Sequence, residues 1–303
     1  MSTLREVKDR IASVRSTLKI TSAMKLVASS KLRKAQRTIE ALRPYEEALE
    51  TILAAASGSG KGVPQQPFSQ VLRAAAAHPF RNLPEAAEPL VVLAFSSNSS
   101  MCGAFNTNVI KKVQELQQEA AASGQTLEFW AFGKKMYEFL RKNGAPSSRD
   151  FTPLVAHPEF APVAGAAEEL RTLYESGRIG GALLVYNHFV STGRQQVVVE
   201  PYLGFDDPGQ QDEEEQILAE EHYIIEPSRA ELLERLAPQV MDLKLYAALL
   251  DSAAAEHAAR MVAMQAATDN GESLLSELTL EYNKGRQQKI TSEILDLVAG
   301  AAQ

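Results

Sequence analysis

Apolar residues at both ends of this chain recur at steps of three and four, over stretches longer than a helix of a globular core requires. Near the N-terminus Leu4, Val7, Ile11, Val14, Leu18, Met24, Ala28, Leu32, Ala35, Ile39 and Leu42 make one stripe, with Thr21 filling its gap. That spacing puts them all on one side of a helix. Arg, Lys and Ser flank the stripe closely, so its seam is as narrow as that of a coiled coil. Pro44 should kink this helix, or end it and restart it over Tyr45–Ala56. With that second piece the element reaches ~80 Å at roughly 1.5 Å per residue.

The other end repeats the pattern through Leu236, Val240, Leu243, Ala247, Leu250, Ala254, His257, Met261, Met264, Thr268, Leu275, Leu278 and Tyr282, and resumes it at Ile290, Ile294 and Leu297. No proline follows Pro238, which predicts a second helix of ~95 Å. Gly271 and Gly285 should weaken it locally by ~1 kcal/mol each. A periodic run so far beyond about 25 residues indicates a coiled coil or a helical repeat. The first helix enters the middle of the chain by its C-terminal end, and the second leaves by its N-terminal end. If they pair, they run antiparallel. The longer second helix then leaves a tip, Ile290–Gln303, that is apolar and nearly uncharged. Such a tip wants a socket outside the chain, unless it folds back on it.

The segments between are of a different kind. The expected organisation is a coiled-coil helix over 1–56, a linker over 57–89 with room for a short helix around Phe68–Ala77, an α/β domain over 90–204, an acidic loop over 205–227, and the second coiled-coil helix over 228–303. Leu90–Phe95 is a continuous apolar run suited to a buried parallel strand. Helices are expected over 106–123, 134–143 and 164–176, with a strand over 126–132. Two further strands, 182–189 and 195–202, should pair antiparallel about Ser191–Arg194. The alternation predicts an α/β, Rossmann-like layered domain. Residues 205–226 carry nine acids and no Lys or Arg, the signature of a solvated, mobile loop.

Charge is uneven. Residues 1–43 hold 11 Lys or Arg against 3 Asp or Glu, within a chain whose net charge is −7. The acidic total argues against general nucleic-acid binding, and the basic stripe is either simply solvated or faces acidic partners. No stretch approaches about 18 consecutive apolar residues, so no transmembrane span is expected. The opening residues enter a helical pattern that contains acids, unlike a secretory signal or a transit peptide.

The residues assemble no catalytic constellation. After the first strand, residues 96–105 hold one glycine where a dinucleotide fingerprint needs three. Gly60-Lys61 imitates the end of a phosphate-binding loop, but Gly62 replaces the Ser or Thr that would hold magnesium. Cys102, the single cysteine, forbids an internal disulfide; with His188 it is a nucleophile candidate, more readily explained as packed. The five histidines are never at metal-ligand spacing, and His257 lies on the helical seam. Ser16-x-x-Lys19 and Ser22-x-x-Lys25 match a β-lactamase fragment by spacing alone. No cofactor and no metal is expected.

Three segments carry a resemblance over nearly the whole chain: LREVKDRIASVRSTLKITSAMKLVASSKLRKAQ at Leu4–Gln36, EHAARMVAMQAATDN at Glu256–Asn270, and YNKGRQQKITSEILDLVAGA at Tyr282–Ala301. Together they resemble the gamma subunit of F-type ATP synthases. The last contains that family's Ile/Val-Thr, a Glu two residues on, an acid, and Gly-Ala. The resemblance implies an antiparallel coiled-coil shaft inside a hexamer of alternating alpha and beta subunits. Its α/β base would sit with the epsilon subunit on a membrane ring of c subunits. Proton flow would turn ring and shaft, and ATP would be made at sites on the beta subunits. The chain itself would be non-catalytic and peripheral, on the cytoplasmic face of a bacterial plasma membrane.

Carried over by position, Met24 and Lys25 match the segment facing an acidic loop of the beta subunits. Arg286 and Gln287 match a polar contact to a catalytic-subunit loop. Thr291 and Glu293 belong to the same contact region, and Ile294, Leu297 and Val298 would ride in an apolar sleeve. The family usually has Asp-Arg-Gly-Leu where Asn98–Met101 stands here. With one cysteine, the thiol regulation of the chloroplast form is excluded. Two other readings of the residues remain, a Rossmann-type enzyme with coiled-coil oligomerisation arms and a self-associating coiled-coil scaffold. Deleting the acidic 206–226 segment is expected to leave ATP synthesis in place; its loss from a normally assembled complex would refute that reading of the segment.

Overall fold

The computed structural model describes residues 3–57, 88–204 and 228–301. The expected linker helix, the Gly60-Lys61 motif and the acidic loop lie outside the described residues. The elements in chain order are α1 (Leu4–Ser57), β1 (Leu90–Phe95), α2 (Phe105–Ser123), β2 (Leu127–Phe132), α3 (Lys134–Lys142), β3 (Arg149–Asp150), α4 (Thr152–Ala156), α5 (Phe160–Glu175), β4 (Gly181–Ser191), β5 (Arg194–Leu203) and α6 (Arg229–Ala301). They fall into two units. One takes Met1–Ser30 with Arg260–Gln303, and the other takes Lys31–Ala259.

Both long helices open on a side-chain hydroxyl cap. Thr3 Oγ1 accepts the Glu6 N–H at 3.3 Å while Glu6 Oε2 accepts the Thr3 N–H at 2.9 Å, a reciprocal capping box. Ser228 Oγ likewise accepts the Glu231 N–H at 3.3 Å. Of the two outcomes expected at Pro44, a kink or an end and restart, the helix does not end: α1 is one helix of 54 residues with Pro44 inside it. An interior proline costs ~3 kcal/mol or more. Leu49, buried with Val240 and Leu243 and flanked by Leu42 and Leu236, holds the helix on both sides of that proline and offsets the loss. Similarly, α6 starts before Pro238 and runs for 73 residues.

In the second unit the sheet order is β3-β2-β1-β4-β5, parallel except for β5, which pairs antiparallel with β4 as expected. All six residues of β1 are buried, because both faces of the sheet are covered. Val91, Leu93 and Phe95 face α5 and residues 245–250 of α6, with Ile39 and Leu42 of α1 at the margin. Val92 and Ala94 face Val109, Val113 and Leu116 of α2 and Met136 and Leu140 of α3. Phe132 stacks on Phe95 at 4.5 Å and on Phe151 at 4.7 Å. Fully burying such a side chain stabilises by roughly 1.5–3 kcal/mol.

The remaining differences are local. Helix α5 begins at Phe160, four residues before its expected start, because Pro162 sits in the first turn, where a missing N–H costs nothing. Strand β3 and helix α4 are too short to show a period. Arg171 of α5 anchors α6 here, pairing with the Asp242 carboxylate and donating to the Pro238 carbonyl at 3.3 Å.

In the first unit α1 and α6 lie antiparallel. Leu4 meets Gly285, Leu18 meets Gly271, and Thr21 meets Thr268. Val7, Ala28, Met264, Thr268 and Leu278 are buried along the seam. The narrow stripe expected from the sequence is this contact.

Candidate functional site

The carboxyl ends of β1 and β4 form the point where the sheet's connections diverge to opposite faces, the usual ligand crevice of such folds. Here the chain fills that crevice with itself. Cys102 and Phe105 pack against Ala255 and Ala259 of α6, with Phe189 alongside. Asn187, fully buried, donates to the Phe105 carbonyl at 3.1 Å. The Cys102 sulfur lies 3.2 Å from Asn106 Nδ2 and 3.6 Å from Ser97 Oγ. The thiol is packed, as its setting beside a glycine led us to expect.

The loop after β1 also consumes the anion-binding capacity of the neighbouring helix. The first three N–H groups of α3 donate to Asn98 Oδ1 (from Lys134, 3.0 Å), to the Ser97 carbonyl (from Lys135, 3.2 Å) and to Ser96 Oγ (from Met136, 2.8 Å). Asn98 also donates to the Thr152 carbonyl at 3.1 Å. Its role here is therefore to hold two helix starts in place. Met101 alone among non-glycine described residues has a positive φ, +66°, and its side chain is exposed.

His188 is not turned to Cys102. Asp251 on α6 bonds His188 Nδ1 at 2.6 Å and accepts the Phe189 N–H at 2.9 Å. The hydrogen bond to Asp251 raises the imidazole above its ordinary range; burial opposes this, and the Asp251 and Glu200 charges add to it. A folded-state value above the unfolded one stabilises fully below the unfolded value and is lost as pH rises through the folded one. Replacing His188 with Gln is therefore expected to lower the melting temperature most in mildly acidic solution. Melts from about pH 5.5 to about pH 9 should show the gap from the unsubstituted chain closing as pH rises. A gap independent of pH would refute the assignment. Among the described residues no cluster of three His, Cys, Asp or Glu is arranged to hold a metal ion.

The residues singled out for partner contact all lie on the coiled coil, in two groups. Met24 and Lys25 are partly buried one turn beyond Thr21. Arg286 and Gln287 follow Gly285 directly and are exposed, as are Thr291, Glu293, Ile294 and Leu297. Val298 continues the same helix. By the register of the seam, the two groups stand about 33 Å apart along the helix axis. Past the Leu4–Gly285 layer α6 runs on, with residues 286–295 exposed throughout. There the Thr291 hydroxyl donates to the Gln287 carbonyl at 2.9 Å, and Lys289 stands 3.8 Å from Glu293. Ile294 is 55% and Leu297 74% exposed.

The stripe missed a second set. Ile20, Leu26 and Val27 on α1 and Leu280 and Leu295 on α6 are large, apolar and exposed. The available signal was their position off the seam of otherwise charged helices.

A long antiparallel coiled coil with exposed apolar side chains, in one chain with an α/β layered domain whose crevice is filled, is the class of fold this chain presents. Comparison with known proteins gives the particular one. A family model described as ATP synthase matches residues 3–303. An ATP synthase gamma chain of Bacteroides fragilis is 42% identical over 99% of both chains. That of Flavobacterium johnsoniae is 38% identical over 99% of this chain and 98% of its own. The chain belongs to the ATP synthase gamma chain family. Its fold matches the rotor of the Euglena gracilis mitochondrial ATP synthase at TM-score 0.63 and 18% identity, covering 95% of this chain and 98% of that one. A second structure of that enzyme, in another rotational state, matches at TM-score 0.66 and 17% identity over 99% of this chain and 93% of that one.

Proposed function

We propose that this chain is the central rotor shaft of a proton-driven ATP synthase. It couples rotation of a membrane c-ring to the catalytic sites of the beta subunits, and is itself non-catalytic. The observation that carries this reading is the unpaired end of α6, where exposed polar residues are followed by exposed leucine and isoleucine. A helix bearing Ile290, Ile294, Leu295 and Leu297 in water is unfavourable unless an apolar sleeve receives it. The alpha and beta subunits supply that sleeve in this reading, also covering Val298. Arg286, Gln287, Thr291 and Glu293 make the directional polar contacts below it, and Met24 and Lys25 meet an acidic surface of the beta subunits.

Charge-assisted hydrogen bonds suit torque transfer, because they resist rotation in a way that apolar contact does not. The α/β unit would bind the epsilon subunit and the c-ring, at the cytoplasmic face of a bacterial membrane. No helix among the described residues is long and apolar enough to cross that membrane. The test is co-purification: a tagged chain should bring down a hexameric ATPase with one copy per hexamer. Recovery without the hexamer, or in several copies, would refute the reading. The enzyme alternative requires micromolar binding of ATP or NAD by the isolated chain, and the filled crevice between β1 and β4 weighs against it.

A further inference from the structure

The coiled-coil seam has two positions where a side chain is missing and a leucine takes its room. A Cβ on Gly271 would lie 2.7 Å from Leu18 Cδ2 and 3.3 Å from its Cγ, and one on Gly285 would lie 3.1 Å from Leu4 Cδ2. The two leucines and the two glycines have the same spacing, two heptads, on their respective helices. A third layer is polar: the Thr21 and Thr268 hydroxyls share a hydrogen bond at 2.9 Å, and each also stands within reach of a carbonyl of its own helix, Leu18 at 3.2 Å and Met264 at 2.9 Å. Both threonines are buried.

All three contacts obey one antiparallel register. Three residues on from Leu18 to Thr21 correspond to three residues back from Gly271 to Thr268. The step back from Leu18 to Leu4 equals the step on from Gly271 to Gly285. By the same rule Val7, Ile11 and Val14 face Tyr282, Leu278 and Leu275.

We propose that these layers act as a key that holds α1 and α6 in one axial register. A slip of one heptad would drive Leu18 against Leu278 or Met264, and would set Thr21 against Leu275 or Met261 with no hydroxyl to meet. A slip of two heptads is subtler, since one leucine would find the other glycine. The threonine pair forbids it, because Thr21 would then face the bulky Tyr282 in one direction and Ala254, which has no hydroxyl, in the other. Leucine–glycine sockets thus exclude the short slip and the hydroxyl pair excludes the long one. Resting on the rotor reading, the key sets the axial offset between Met24–Lys25 and Arg286–Gln287. One heptad of slip would change that offset by about 10 Å, so Leu4, Leu18, Thr21, Thr268, Gly271 and Gly285 are positioning residues.

Cysteine pairs in the purified full chain test this, with buried Cys102 left in place. Under mild oxidation Val14→Cys with Leu275→Cys reports the native register, and Val14→Cys with Tyr282→Cys reports the slipped one. With the key intact, only the first pair should cross-link. Adding Thr21→Val and Thr268→Val, which keep the apolar volume, and then Gly271→Ala and Gly285→Ala, should erase that selectivity by on the order of tenfold. Selectivity that survives all four changes would overturn the proposal. This readout needs no partner, so it stands apart from the hexamer co-purification that tests the rotor reading.

Discussion

A chain carrying both Lys25→Glu and Arg286→Glu is expected to lose ATP synthesis by roughly a hundredfold in the assembled complex, while its own melting temperature stays almost unchanged. Neither cation has an ion-pair partner among the described residues, so reversing them costs the isolated fold little. In the complex each would give up a charge-assisted hydrogen bond, worth about 1.5–3 kcal/mol, and gain a repulsion. Because the two sites stand about 33 Å apart along the helix axis, their effects should add. Synthesis in reconstituted vesicles measures the outcome. Near-normal rates in the double variant would remove these residues from the torque path, whatever the standing of the shaft.

The second large effect belongs to the fold. Gly133 has φ +106°, and a Cβ there would lie 2.1 Å from the Ser96 carbonyl oxygen and 2.7 Å from Ser96 Oγ. The obstructing carbonyl belongs to the main chain at the end of β1, and the hydroxyl caps α3, so neither is free to yield. Gly133→Ala is expected to destabilise the α/β unit by more than about 4 kcal/mol and to leave little folded protein. Gly124→Ala is the control. Its φ is +72° but nothing lies within 4 Å of its Cβ position, so the cost is limited to about 1–2 kcal/mol of backbone strain. Denaturant unfolding of the two variants separates close approach from backbone conformation. Equal losses would mean that φ, not Ser96, decides.

How much of this was legible follows from what each element leaves in the sequence. Leu90–Phe95 reads as a buried strand because six consecutive apolar residues suit only an element covered on both faces. The long stripes read as helices because a three-and-four period sustained over many turns has no other solution. Which of two outcomes Pro44 would have, a helix carried through it or one ended there, was not decidable in sequence, since the support comes from Val240 and Leu243, remote along the chain. The start of α5 was hidden by Pro162, a breaker by composition but harmless in a first turn. Signals for both long-helix starts were present as Thr3…Glu6 and Ser228…Glu231.

The candidate site shows the same division. Its residues could be placed on a helix from period and resemblance, but which residue faces which could not. A heptad pattern is unchanged when it slides by seven, so periodicity alone leaves the register open. The contacts of Leu4 with Gly285, Leu18 with Gly271, Thr21 with Thr268 and Leu49 with Val240 resolve it. Gly271 therefore reads in sequence as a helix weakness and in the structure as a socket. Leu26 and Leu280, off the stripe, carry no period and were missed for that reason.

The seal formed by Cys102, Phe105, Ala255 and Ala259 has a consequence for how such a subunit lives among nucleotides. To admit one, the sandwich would have to pry away the very helix that runs on into the coiled coil. At that crevice, therefore, packing within the chain stands where ATP or ADP would have to go.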